Sequence, residues 1–169
     1  EVIEQILEHA DGGLHKMGGT TFFGYVCGSS HPVGVAADFL VSAWGQNAGS
    51  AFETPAITGM ERSVCDWVID LLCLPSGSGA GIVTGGSVAN MVGVMAARHA
   101  LLAAQGWDVE AKGLFGAPEF PVLIGDDAHS APLAALRYAG LGADRAVSVP
   151  TDTQGRIEPA AFRTALGCC

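Results

Sequence analysis

Two short stretches of the sequence hold residue types that can do chemistry together. In "GIVTGGSVANMVGVMAARHA", Gly85-Gly86-Ser87 separates a short apolar run from a long run of small helix formers. Glycines let backbone N–H groups come close to a ligand, a seryl hydroxyl can cap a helix or donate to a ligand, and a helix N-terminus carries partial positive charge. Phosphate is the ligand that suits this chemistry best. A ligand-free strand-to-helix turn capped by Ser87 uses the same residues. The second stretch is Asp126-Asp127-Ala128-His129-Ser130, directly after the apolar "PVLIG". His129 brings an imidazole, which on its own favours helix capping or a structural role over catalysis, and Asp126 or Asp127 can also cap. Two other patterns fail. "GSGAG" at 77–81 precedes its strand where a dinucleotide fingerprint must follow one, and no Gly-Lys-Ser/Thr is present for a P-loop.

The elements that must position these residues follow from periodicity. Val2, Ile3, Ile6, Leu7 and Ala10 make one face of a helix ended by Gly12-Gly13, and a glycine-rich connector follows. Pro32 opens a second helix with Val35, Ala36, Phe39, Leu40, Ala43 and Trp44 on one face. Met60, Val64, Trp67, Val68, Leu71 and Leu72 recur at helical spacing until Pro75. The second half then alternates: strand 81–84, helix from Val88 to 105, strand 121–125, helix from about 131 to 139, strand 146–149, and a helix opened by Pro159. Such alternation implies right-handed crossovers and a largely parallel sheet covered by helices on both faces. In these sheets ligands gather at the carboxyl ends of the strands. Gly85-Gly86-Ser87 and the His129 loop both meet that condition, which favours a shared site.

Composition narrows the partners. A net charge of -9 with eight Lys and Arg argues against nucleic acid or an anionic membrane. Only 15% of residues are charged and mean hydropathy is +0.36, which suggests surfaces covered by a missing half or a partner subunit. The chain starts with Glu1 and stops at Cys169 just after a helical start, so both ends are expected to be cut. The most apolar run, 88–104, is broken by Asn90, Arg98 and His99 and falls short of a clean membrane span. Cysteines 27, 65, 73, 168 and 169 form no CxxC pair, so neither a metal site nor a disulfide framework is expected. They are expected to be buried small hydrophobes in a reducing cytoplasm.

The segments "FFGYVCGSSHP", "VAADFLVSAWGQNAG", "TGGSVANMVGVMAAR", "DDAHSAPLAALRYAGLG" and "DTQGRIEPAAFRTAL" occur in this order. As a set they resemble the N-terminal half of the group II pyridoxal 5′-phosphate (PLP)-dependent decarboxylases, which include the aromatic-L-amino-acid and glutamate decarboxylases. The resemblance implies an α/β fold: part of the large domain of a fold type I PLP enzyme, a mostly parallel sheet flanked by helices, after an N-terminal helical segment. It implies a division into residues 1–58, a helical connector with dimer contacts, and residues 59–169, the first part of the PLP-binding domain. It also implies a cytoplasmic homodimer acting on a small amino acid, with its sites at the subunit interface.

Carried over by position, the resemblance gives Gly86 and Ser87 to the cofactor phosphate, with Gly85 shaping the turn. It stacks His129 on the pyridine ring near the substrate α-carbon and sets Tyr25 in the region that lines the substrate pocket. The implied chemistry is loss of the amino-acid carboxylate as CO2, with the cofactor as electron sink.

The sequence also departs from the family pattern. The glycine pair follows Thr84 directly where a Thr-Ser-Gly-Gly run is usual, Val88 replaces an acidic residue, and Thr58-Gly59-Met60-Glu61 stands where Thr-Glu-Leu-Glu is expected. The lysines are Lys16 and Lys112, and neither has the context of the family's cofactor-bearing lysine. The chain as given is therefore expected to be inactive alone. Two other functions fit the same residues: a different fold type I PLP enzyme, a lyase or aminotransferase, and a catalytically silent dimerisation module.

Overall fold

Proline in the first helical turn and a left-handed residue just past the last turn set most of the helix boundaries. The computed structural model describes residues 1–28 and 30–167. It comprises one unit of Glu1–Ala80 and a second from Gly81 onward.

The first unit holds α1 (Val2–Ala10), α2 (Pro32–Trp44) and α3 (Pro55–Leu71). The His31 side chain caps α2 by accepting from the Val33 amide, and Gly45 ends it at φ 57°. Pro55 opens α3 behind Thr54, whose hydroxyl donates to the Asn47 carbonyl at 2.8 Å. The end of α3 is a Schellman turn: Cys73 N–H donates to the Asp70 carbonyl and Leu74 N–H to that of Ile69. Cys73 takes the left-handed position, at φ 51°.

The second unit runs α4 (Gly86–Ala104), α5 (Val109–Lys112), β1 (Val122–Gly125), α6 (Ser130–Tyr138), a 3-10 turn (Ala143–Arg145), β2 (Ala146–Val149) and α7 (Pro159–Gly167). Gly106 after α4 and Gly140 after α6, both at φ 75°, occupy the position that Cys73 fills after α3. β1 and β2 pair in parallel, Val122 opposite Ala146 through to Gly125 opposite Val149, so α6 is the crossover between them. α4 packs on α6. Arg98 fastens that contact, its Nη1 donating to the Ala139 carbonyl at 2.7 Å. Leu102, Val109, Ala135, Leu136, Ala139 and Val149 form the core.

Several expectations are corrected. Residues 81–84 are not a strand. A strand exists only through its ladder partner, and among the described residues the sheet consists of β1 and β2. α4 starts at Gly86, not Val88, and its N-cap is Gly85, so Ser87 lies inside the first turn and is not the cap. Lys112 closes the short helix α5, begun by the Asp108 carboxylate, and does not lie in a loop. Cys27 and Cys73 are exposed and Cys65 is half-buried, so these are not core residues. Cys168 and Cys169 lie outside the described residues.

The accessible surface is 13142 Å². Even two separately compact domains of half this mass would expose only about 9,400 Å² together. Much of the excess is apolar: Phe39 on α2 is 71% exposed and Trp67 on α3 is 70% exposed. By length and composition α4 could cross a membrane. Its Arg98 bond to α6 assigns it instead to the helical layer of the α/β unit.

Candidate functional site

The N-terminus of α4 is an open anion cradle. Gly85 has no side chain to cap with, and among the described residues no other side chain caps the helix. The Gly85 carbonyl accepts from Ala89 N–H, so the amides of Gly86, Ser87 and Val88 precede the first intrahelical bond and point out of the helix end. A Cβ built at Gly85 or Gly86 would meet no atom within 4 Å, so the turn is uncrowded at both positions. The exposed Ser87 hydroxyl stands in the same turn. Nineteen residues of helix lie behind it. This donor set, with no carboxylate among its residues, fits a phosphate group and hence the phosphate of PLP.

His129 begins the other helix of the pair. It is the N-cap of α6, and its Nδ1 accepts from the Ala131 amide at 3.1 Å. The capping reading of this histidine is therefore realised. Capping also fixes the ring: with Nδ1 accepting, the neutral imidazole carries its proton on Nε2, and that exposed edge remains free to donate. Neither aspartate of the loop caps the helix. Asp126 Oδ1 accepts from Thr151 N–H at 2.9 Å and from Thr151 Oγ1 at 2.6 Å, while Asp126 N–H donates to the Val149 carbonyl. The carboxyl ends of β1 and β2 are thus joined beside His129.

Beyond Thr151 the chain doubles back. Thr151 bridges Ile157 antiparallel, and Asp152 holds the turn. Its Oδ1 accepts from the Gln154 and Arg156 amides and its Oδ2 from Arg156 Nε. The Arg156 amide, then its guanidinium, then the Gln154 amide hold the Asp152 carboxyl below the usual carboxylate range.

Gly85–Ser87 and His129 thus belong to one unit, at the first turns of two helices that pack together. Tyr25 lies in the other unit, 95% exposed and at φ 57°. A groove of about 570 Å³ in the second unit lies elsewhere. Phe120, Val122, Leu141 and Arg145 line it at the amino ends of the strands, away from the edge where α/β sheets bind ligands. Sequence reasoning missed Thr151 because nothing in local spacing links it to Asp126.

Comparison with known proteins gives the family and the fold. The model of the pyridoxal-dependent decarboxylase conserved domain matches residues 2–167. Tryptophan decarboxylase 1 of Oryza sativa subsp. japonica is 29% identical, with 91% of this chain and 32% of that protein covered. Mouse CSAD in its apo form superposes with a TM-score of 0.84 at 24% identity, over 99% of this chain and 35% of that one. Oryza sativa TDC with PLP and tryptamine gives 0.68 at 28% identity, over 83% of this chain and 31% of that one. The chain thus spans about a third of the length of the relatives it matches.

Proposed function

The chain belongs to the pyridoxal-dependent decarboxylase family, and on that basis we propose that the whole protein is a PLP-dependent amino-acid decarboxylase. The observation that carries this reading is the uncapped start of α4, where three amides precede the first intrahelical bond and the exposed Ser87 lies in the same turn. PLP supplies an electron sink that lets an amino acid lose its carboxylate as CO2. Everything else is positioning by this chain. The amides of Gly86, Ser87 and Val88 would hold the phosphate, assisted by the helix dipole, and the Ser87 hydroxyl would add a charge-assisted bond. Gly85 keeps the approach clear. His129, its ring oriented by capping α6, would stack on the cofactor ring and could offer its Nε2 proton near the substrate α-carbon. Tyr25 lines the substrate pocket.

The proposal extends to the assembly: a cytoplasmic homodimer of fold type I, with residues 1–58 making dimer contacts and residues 59–169 forming the first part of the cofactor domain. The exposed apolar faces of α1 and α2 support a covering partner. Lys16 and Lys112 lie in neither turn of the site, and the family resemblance assigns the cofactor-bearing lysine to the remainder of the whole protein.

Ser87→Ala in the whole protein tests the cradle. It removes a charge-assisted bond of roughly 1.5–3 kcal/mol, so PLP affinity should fall about tenfold or more. Unchanged affinity in a spectrophotometric titration would remove Ser87 from the phosphate site.

A further inference from the structure

We infer that Asp126 is a positioning residue for the His129 loop, acting through Thr151 on the hairpin that follows β2; the inference rests on the role proposed for His129. Three observations place the hairpin against the loop. Asp126 Oδ1 takes both the amide and the hydroxyl of Thr151, across a sequence separation of 25 residues. Gly125, the last residue of β1, lies so close to the hairpin that a Cβ there would stand 3.1 Å from Thr151 Cγ2 and 3.4 Å from Ile157 Cγ1. On the far side of the turn, a Cβ at Gly155 would stand 3.6 Å from Asp127 Oδ2.

The loop has little else to hold it. Between β1 and α6 its other bonds are Asp126 N–H to the Val149 carbonyl, Ala128 N–H to the Gly125 carbonyl and the His129 cap itself. Asp126 is exposed, so its carboxylate would be well solvated without Thr151. Its pairing therefore organises the backbone more than it stabilises the fold. The hairpin is itself stiffened by Asp152, whose carboxylate closes the turn on Gln154 and Arg156. Thr151 thus presents two donors from a rigid support, and the turn Asp126-Asp127-Ala128 hands that rigidity to the backbone of His129. A catalytic side chain needs its supporting residues to hold it within a fraction of an ångström.

The test uses the whole protein with Asp126→Ala, Asp126→Asn and Thr151→Val, and reads two quantities. The first, hydrogen exchange of the 126–131 amides without cofactor, is independent of any role in catalysis. Asp126→Ala should speed exchange there about tenfold or more, Thr151→Val less, and Asp126→Asn, which keeps the Oδ1 acceptor, should restore most of the protection. The second is kcat per bound PLP together with the visible circular dichroism of the bound cofactor. Asp126→Ala should lower kcat about tenfold and change the dichroism, with PLP affinity moved less than threefold and Asn restoring both. Unchanged exchange in Asp126→Ala overturns the inference. Faster exchange with normal kcat and dichroism overturns it too, leaving a purely structural tie. Failure of the function reading looks different: the parent protein then shows no PLP-dependent turnover, and the hold on the loop is judged by exchange alone.

Discussion

In the second unit Leu102, Val109, Ala135, Leu136, Ala139 and Val149 are withdrawn from water, whereas in the first unit Thr54 alone is buried among the described residues. Both units form their helices with similar devices: Pro32, Pro55 and Pro159 at first turns, and Schellman turns at Cys73, Gly106 and Gly140. The difference lies in where the apolar faces go. α4 and α6 have each other, and β1 and β2 are paired. α1 and α2 present Val2, Ile3, Ile6, Phe39 and Trp44 to solvent. Local sequence can therefore specify a helix fully while its stability depends on surface that lies elsewhere. The proposed cofactor cradle and His129 both sit in the unit with its own core, which suits a site that must hold fixed geometry.

The sharpest break of this contrast is a matched pair of truncations. Leu102→Ala should destabilise the second unit by about 2–5 kcal/mol, because a fully buried side chain leaves a cavity. Phe39→Ala should change the stability of the 169-residue chain by no more than about 0.5 kcal/mol. In the whole protein, with α2 covered, the same substitution should cost about 3–5 kcal/mol. Denaturant titration of both lengths checks this, and an equal effect of Phe39→Ala in the two would show that α2 is never covered.

A smaller effect of opposite sign is expected at the end of α3. Cys73 sits at φ 51° where the equivalent residues after α4 and α6 are Gly106 and Gly140. Cys73→Gly should therefore stabilise the first unit by about 1 kcal/mol, relief of left-handed strain outweighing the added chain entropy. A thermal melt showing a loss would mean that the thiol makes a contact outweighing that strain.

The smallest expected effect is at Asp152. Its carboxyl pKa is lowered in the folded turn, chiefly by bonds from Arg156. A depressed folded-state pKa gives stability that is present above the unfolded value, about 3.9, and lost as pH falls through the folded value. The turn should thus hold at neutral pH and open only below the ordinary carboxylate range. The amide resonances of Gln154 and Arg156 report this, with a midpoint under that of a free aspartate, and Asp152→Asn should abolish the transition.

What the sequence made legible divides along physical lines. Helices with a proline start and a 3.6-residue apolar face, such as α2 and α7, are local facts and are found at the expected places. β1 and β2 were readable as apolar runs flanked by turns, and their parallel pairing follows from the helix between them. Gly81–Thr84 has the same look and forms no strand, because pairing is a property of two segments and only one is visible in a local run. The cradle was legible in kind from Gly85-Gly86-Ser87, but its cap was misplaced: the open amides exist because Gly85 caps nothing. His129 was visible as a candidate, and its double use as cap of α6 was one of the readings left open. The Asp126–Thr151 tie was out of reach, since two residues so far apart in sequence meet only once the strands align.

The central claim is that the α4 cradle and His129 serve a decarboxylase. It is tested most directly by release of labelled CO2 from a panel of carboxyl-labelled L-amino acids, normalised to bound PLP, in the whole protein and in His129→Ala. The expected result is CO2 from at least one amino acid, with kcat lowered about a hundredfold in His129→Ala while PLP occupancy changes far less. Bound PLP that yields a keto acid and no CO2, or a His129→Ala protein that turns over normally per bound cofactor, would contradict it.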